Sequence, residues 1–139
     1  MPSQRSLYFA YGSNMDTEQM RERCGDAHLH GSAVLEGYRF LINSRGVASI
    51  AVDEGAHVHG VAWSLTDIDL RALDRYEGVR HDRYVRTTVD VVAGKDKTPA
   101  WVYIASDNTQ GRPLSGYLEG IVAAARAAGL PDQYIRELE

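Results

Sequence analysis

"RYVRTTVDVVAGKDKTPAWVYIA", residues 83–105, decides the fold. Val85, Thr87, Val89 and Val91 alternate with Arg86, Thr88 and Asp90, the period-two pattern of a strand with one buried face. "GKDKT" (94–98) is built from turn formers, and "PAWVYIA" (99–105) supplies a β-branched and aromatic partner strand. A lone hairpin is marginal in water, so other segments must complete the sheet.

Working outward, strands are expected at residues 6–11, at "AVLEGYRFLIN" (33–43, broken near Gly37), at "VASIAV" (47–52) and at "HVHGVAWSL" (57–65). The last two are joined by the turn "DEGA" (53–56), giving a meander. Short helices fill the gaps. Asp16 and Gln19 stand as cap and reciprocal partner for "DTEQMRERC" (16–24), and Thr66 caps "DIDLRALDRY" (67–76). In the second helix Ile68, Leu70, Leu73 and Tyr76 fall roughly three apart, and Glu77-Gly78 ends it. "NTQGRPLSG" (108–116) is a loop whose Ser115 caps "GYLEGIVAAARAA" (116–128). Leu118, Ile121, Val122 and Ala125 form the apolar stripe of that helix. Gly129 and Pro131 stop it, and Pro131 starts the terminal "PDQYIRELE". Six or so strands with few helices predict one α+β domain over residues 1–139: a mixed β-sheet curled into a small barrel with short flanking helices.

Composition narrows the function. A chain of 139 residues, 44% of them hydrophobic, is sized for one core, and 24% charged residues with no low-complexity tract argue against disorder. The net charge of −4 and the absence of a Lys/Arg cluster give no electrostatic footprint for nucleic acid or an anionic membrane. No segment has the length of a membrane span, and the N-terminus lacks the apolar core of a signal peptide. Cys24 is the only cysteine, which precludes an intrachain disulfide. The cytoplasm is the expected location. A homodimer is compatible with the sequence, though nothing in it demonstrates one.

The chemistry opens at "YFAYGSNM", residues 8–15: an apolar strand breaking into Gly12, Ser13 and Asn14 just before a helix. Such a turn turns N–H groups outward as an anion cradle. Ser13 is not a nucleophile elbow, since "YGSNM" lacks the G-x-S-x-G spacing, and its hydroxyl is expected to help cap the helix that follows. His28/His30 and His57/His59 are H-x-H pairs with rings on one strand face, yet zinc needs at least three protein ligands. They read as exposed strand histidines, with no metal and no cofactor. Glu77 differs in kind. It follows an amphipathic helix between Tyr76 and Gly78-Val79, where an apolar pocket would raise its pKa and suit it to proton transfer.

Taken together and in order, "YGSNM", "LDRYEG" and "PLSGYLEGIVAAARAAGLPDQY" resemble the gamma-glutamylcyclotransferase superfamily over nearly the whole chain, and the compact middle section is similar to its small bacterial members. The resemblance implies a barrel-like α+β enzyme that forms 5-oxoproline from a small-molecule gamma-glutamyl compound without a cofactor. It further implies that Tyr11, Gly12, Ser13, Asn14 and Met15 form the substrate-holding loop. Glu77 matches the general acid/base, and Tyr117 matches a tyrosine beside the substrate. The cradle would hold either the substrate α-carboxylate or the developing oxyanion.

Three readings follow. The first is cyclisation of a gamma-glutamyl amino acid or amine with release of the free amine. The second keeps that mechanism for a gamma-glutamyl group on a lysine-like amine or a biosynthetic intermediate, with residues 108–116 lining the leaving-group pocket. The third is a non-catalytic binding module of the same fold. A buried Glu77 paired with Arg75, Arg80 or Arg83 would favour the module, whereas an unpaired Glu77 facing the loop favours the enzyme.

Overall fold

The computed structural model describes residues 5–138; positions 1–4 and 139, at the two ends of the expected domain, lie outside the described residues. Five strands close into a barrel in the order β1-β3-β2-β4-β5. They are β1 (Ser6–Ala10), β2 (His28–Ile42), β3 (Ala48–Leu65), β4 (Tyr84–Ala93) and β5 (Asp96–Ala105). Every pairing is antiparallel except β1 with β5, where Tyr8 lies opposite Trp101 in parallel and closes the ring. Four short helices flank it: α1 (Thr17–Arg23), α2 (Asp67–Tyr76), α3 (Tyr117–Ala127) and α4 (Asp132–Leu138).

The hairpin at residues 84–105 forms with Ala93 opposite Asp96, so the turn is the two residues Gly94-Lys95 rather than the five of "GKDKT". Gly94, at φ 66°, supplies the left-handed first position that a tight hairpin turn requires. The expected turn at residues 53–56 is absent as a turn. Residues 47–52 and 57–65 belong to one long strand, β3, both halves of which pair with β2. Between the pairs Glu36↔His57 and Tyr38↔Val52, four residues of β3 stand opposite Gly37 alone, so the polar stretch "DEGA" is a bulge. This merger reduces the six or so expected strands to five among the described residues, and β2 begins five residues earlier than expected, at His28.

Tyr8, Phe9 and Ala10 are all buried although they point to alternate sides of β1. Both faces of β1 are covered, which is why "LYFAY" reads as a continuous apolar run. Gly60 of β3 makes room for the end of that strand. A Cβ there would lie 2.3 Å from the Ala10 carbonyl oxygen and 2.9 Å from the Phe9 ring.

The helix caps divide. Thr66 and Asp69 form the full capping box of α2, with bonds of 3.2 and 3.1 Å. Asp16 caps α1 through Glu18 and Gln19 N–H, but Gln19 does not return the bond. Its amide lies between the Ser13 carbonyl and the Arg23 guanidinium. Ser115 does not cap α3. Gly116, in the left-handed region at φ 78°, occupies that position with no side-chain bond.

On α2 the buried stripe is Leu70 and Leu73, while Ile68 and Tyr76 are 71% and 61% exposed. At 3.6 residues per turn Ile68 lies roughly 160° around the helix from Leu70. Glu77, seven residues after Leu70 and four after Leu73, continues the inward face instead.

Candidate active site

Two chain segments more than sixty residues apart build the site. β1 carries the chain through the barrel to Tyr11 and Gly12, after which Ser13–Met15 make one 3-10 turn. Met15 N–H donates to the Gly12 carbonyl (3.0 Å) and Asp16 N–H to that of Ser13 (3.1 Å). The three preceding N–H groups have no acceptor within the turn by its geometry. From the other side α2 delivers Glu77, whose N–H donates to the Leu73 carbonyl at 2.8 Å. Gly78, at φ 67°, then ends the helix and turns the chain away.

A polar pocket of about 330 Å³, its open mouth included, lies between them. Glu77, Gly12, Ser13 and Asn14 line it together with Ala48 and five tyrosines: Tyr8, Tyr11, Tyr84, Tyr103 and Tyr117. The buried Asn14 side chain ties the two segments together. Its Nδ2 donates to the Tyr8 hydroxyl (2.9 Å) and to Glu77 Oε1 (3.2 Å), its Oδ1 accepts from Arg23 Nη1, and the Asn14 main-chain carbonyl accepts from Trp63 Nε1 (3.0 Å).

The phenols divide by how their protons are used. Tyr11 donates to the Tyr103 carbonyl, Tyr84 to the Ala48 carbonyl (2.6 Å) and Tyr103 to Asp74 (2.7 Å). Tyr8 and Tyr117 each accept a bond, from Asn14 and from Ala48 N–H (3.0 Å), and among the described residues donate none. These two hydroxyls are therefore donors in hand for a ligand.

Burial pushes the Glu77 carboxyl above the ordinary carboxylate range, opposed by the Arg23 charge and by the Asn14 hydrogen bond. Burial also raises all five phenols, and the Glu77 charge adds to that for Tyr8, Tyr11, Tyr84 and Tyr117. Among the described residues the ion pairs are Arg39–Asp53 and Arg86–Asp74, so Glu77 has no salt bridge, whether to Arg75, Arg80, Arg83 or any other cation. It is the unpaired arrangement.

The structure thus brings Glu77, Tyr11, Gly12, Ser13, Asn14 and Tyr117 into one pocket. Met15 is not in it: its side chain is 2% exposed and packs in the core. The Ser13 hydroxyl does not cap α1, because Asp16 already accepts from the N–H groups at that end. Residues 108–116 pack on the turn between β2 and β3, with Leu114 N–H on the Gly46 carbonyl (3.1 Å), and do not line the pocket. Tyr8, Tyr84, Tyr103 and Arg23 went unread in the sequence. Tyr84 and Tyr103 look like ordinary strand aromatics there, since only barrel closure turns them toward Glu77. His28, His30 and His57 are exposed, whereas His59 is half-buried against Tyr134 with ring centroids 4.7 Å apart. Cys24 is buried, its thiol pushed up to about 12. Among the described residues no three His, Cys, Asp or Glu side chains cluster as a metal site.

The closed five-strand barrel frames a polar pocket in which an unpaired carboxyl stands among phenols beside a Gly-Ser-Asn turn, the concave form of a small-molecule site. The AIG2-like family profile matches residues 57–138. The gamma-glutamylcyclotransferase of Homo sapiens is 32% identical over 96% of this chain and 77% of its own length, and that of Bos taurus 31% identical over 95% and 76%. A solved gamma-glutamyl cyclotransferase superposes with a TM-score of 0.88 at 29% identity, covering 97% of this chain and 86% of that one. The chain belongs to the gamma-glutamylcyclotransferase-like superfamily and is a cyclotransferase.

Proposed function

We propose that the protein cyclises the glutamyl moiety of a small gamma-glutamyl amino acid or amine to 5-oxoproline and releases the free amine, with Glu77 as general acid/base. The observation that carries this reading is the Glu77 carboxyl: unpaired, raised by burial, and in the same pocket as the Gly12–Asn14 turn. A gamma-glutamyl substrate brings its own nucleophile, the α-amine, so no protein nucleophile is needed. Well-oriented intramolecular attacks reach effective molarities of about 10⁵ M or more.

Glu77 takes a proton from the substrate's α-ammonium, whose nitrogen then attacks the γ-carbonyl carbon, forms the lactam C–N bond and sheds its second proton to water. The carbonyl electrons move onto oxygen, and in this reading turn N–H groups and the Tyr8 and Tyr117 hydroxyls donate to it. As that oxyanion collapses, the C–N bond to the leaving amine breaks, and Glu77 returns the proton to the departing nitrogen. One carboxyl serves both steps because burial brings its pKa toward the working pH.

Incubation with a panel of gamma-glutamyl amino acids and amines, following 5-oxoproline, tests the reading. Turnover of at least one member is expected, and folded protein that turned over none would sink it.

A further inference from the structure

The Arg23 guanidinium is held on three sides by neutral groups. Its plane lies over the Tyr76 ring, with Cζ 3.6 Å from the centroid. Nη1 donates to Asn14 Oδ1, and Nη2 lies 3.1 Å from the Gln19 amide. No carboxylate pairs with it within 4.0 Å among the described residues. The carboxyl it influences is Glu77, reached through Asn14.

A side-chain amide bridging a guanidinium and a carboxylate has one satisfactory orientation. Turned over, Asn14 would set its NH₂ against the N–H groups of Arg23 and its Oδ1 against the Glu77 oxygen, two repulsive contacts in place of two bonds. We propose that Arg23 is a positioning residue for the cyclotransferase reaction: it locks the Asn14 amide with its NH₂ turned to Glu77, so that the carboxyl enters the cycle deprotonated and ready to accept the amine proton.

Other groups do not supply that bias. The tyrosine and amide side chains that line the pocket with Glu77 are Tyr8 from β1, Tyr11 and Asn14 from the following loop, Tyr84 and Tyr103 from β4 and β5, and Tyr117 from α3. All the phenols are raised and uncharged at neutral pH. Asp74, on the helix that carries Glu77, is occupied by Tyr103 and Arg86. Arg23 is left as the charge that favours the carboxylate.

The inference rests on Glu77 as the proton carrier, so the test separates the two. The profile of kcat/KM against pH is measured for wild type, Arg23→Met, Arg23→Gln, Arg23→Lys and, as a charge control on the exposed face of α1, Arg21→Gln, with Glu77→Gln assayed alongside. Removing the cation and its bond in Arg23→Met should move the acid limb to higher pH, costing about tenfold on the acid side while the alkaline plateau survives. Arg23→Gln should lie between, and Arg23→Lys should restore most of the wild-type limb. Arg21→Gln should match wild type. A merely structural role would lower the whole profile without moving the limb, and that result overturns the proposal. If Arg23→Met does not fold, the Gln and Lys variants decide: coincidence of the Arg23→Gln limb with wild type overturns it equally. Full activity in Glu77→Gln would instead remove the proton-carrier reading on which the inference stands.

Discussion

Replacing Glu77 by Gln is the perturbation with the most to say. The amide keeps the side-chain length, and its oxygen can still accept the 3.2 Å bond from Asn14, so the pocket should hold its shape. What is lost is a group that can take and return a proton. General acid/base catalysis is worth about 10²–10⁴-fold, which is about 3–5.5 kcal/mol of barrier. The pocket argues for the upper end, because the other titratable groups lining it are five phenols, all raised above their ordinary value and so unable to act as a base near neutrality.

The same variant makes a stability prediction of definite sign. A carboxyl whose folded pKa is raised contributes stability that is fully present below its unfolded value, about 4.3, and is lost as pH rises through the folded value. Glu77→Gln should therefore melt above wild type near neutral pH, with the gap closing as pH falls below that unfolded value. Steady-state kinetics of 5-oxoproline release and thermal melts across pH provide both readouts, with Ser13→Ala as the control that should cost far less. Turnover within about threefold of wild type, well short of the expected loss, would refute Glu77 as the proton carrier. A variant that was inactive and also failed to bind 5-oxoproline would show a structural role.

Gly60→Ala should destabilise the fold by at least about 3 kcal/mol, the top of the usual range for overpacking, because its Cβ would lie 2.3 Å from the Ala10 carbonyl oxygen; urea unfolding measures it. Tyr117→Phe removes a pocket donor and the acceptor of Ala48 N–H, and should lower kcat by roughly 2- to 10-fold, the worth of one neutral hydrogen bond, with a smaller effect on KM. Exhaustive treatment with EDTA should leave activity unchanged, since the proposed chemistry is proton transfer alone. Loss that zinc restored would assign a ligand role to one of the histidine pairs.

What the sequence made legible was what depends on local chemistry. The 84–105 hairpin follows from period-two alternation, the α2 start from Thr66, and the turn before α1 from Gly12-Ser13-Asn14. Errors arose where tertiary pairing overrode a local signal. "DEGA" carries turn residues, but β2 pairs with β3 on both sides of it, so the chain bulges and continues. Ile68 and Tyr76 are apolar by composition, yet the helix turns them outward, and the inward face ends in Glu77 instead. That arithmetic was available: a glutamate seven residues after one buried leucine and four after another sits on the buried face of its helix. The partners were not available. Arg23 and Asn14 are nine residues apart with a helix start between them, and the phenols of β4 and β5 join the pocket of Glu77 in a barrel that closes through Tyr8 and Trp101.

Those phenols make a last prediction, about the form of the pH profile. Burial holds all five above the usual phenol range, and for Tyr8, Tyr11, Tyr84 and Tyr117 an ionised Glu77 makes losing a second proton harder still. Below the phenol range the pocket therefore contains one titratable group, Glu77, held above its ordinary value by burial, with the Arg23 charge acting on it. Two strongly interacting groups would lose their protons in two macroscopic steps that belong to the pair. One isolated carboxyl gives a single acid limb, placed above the ordinary Glu value because burial outweighs the Arg23 charge and the Asn14 bond. The measured profile of kcat/KM should accordingly show one enzyme ionisation on its acid side, absent in any residual activity of Glu77→Gln. Two acid steps, or a single step that persisted in that variant, would mean that a group outside this pocket controls the proton.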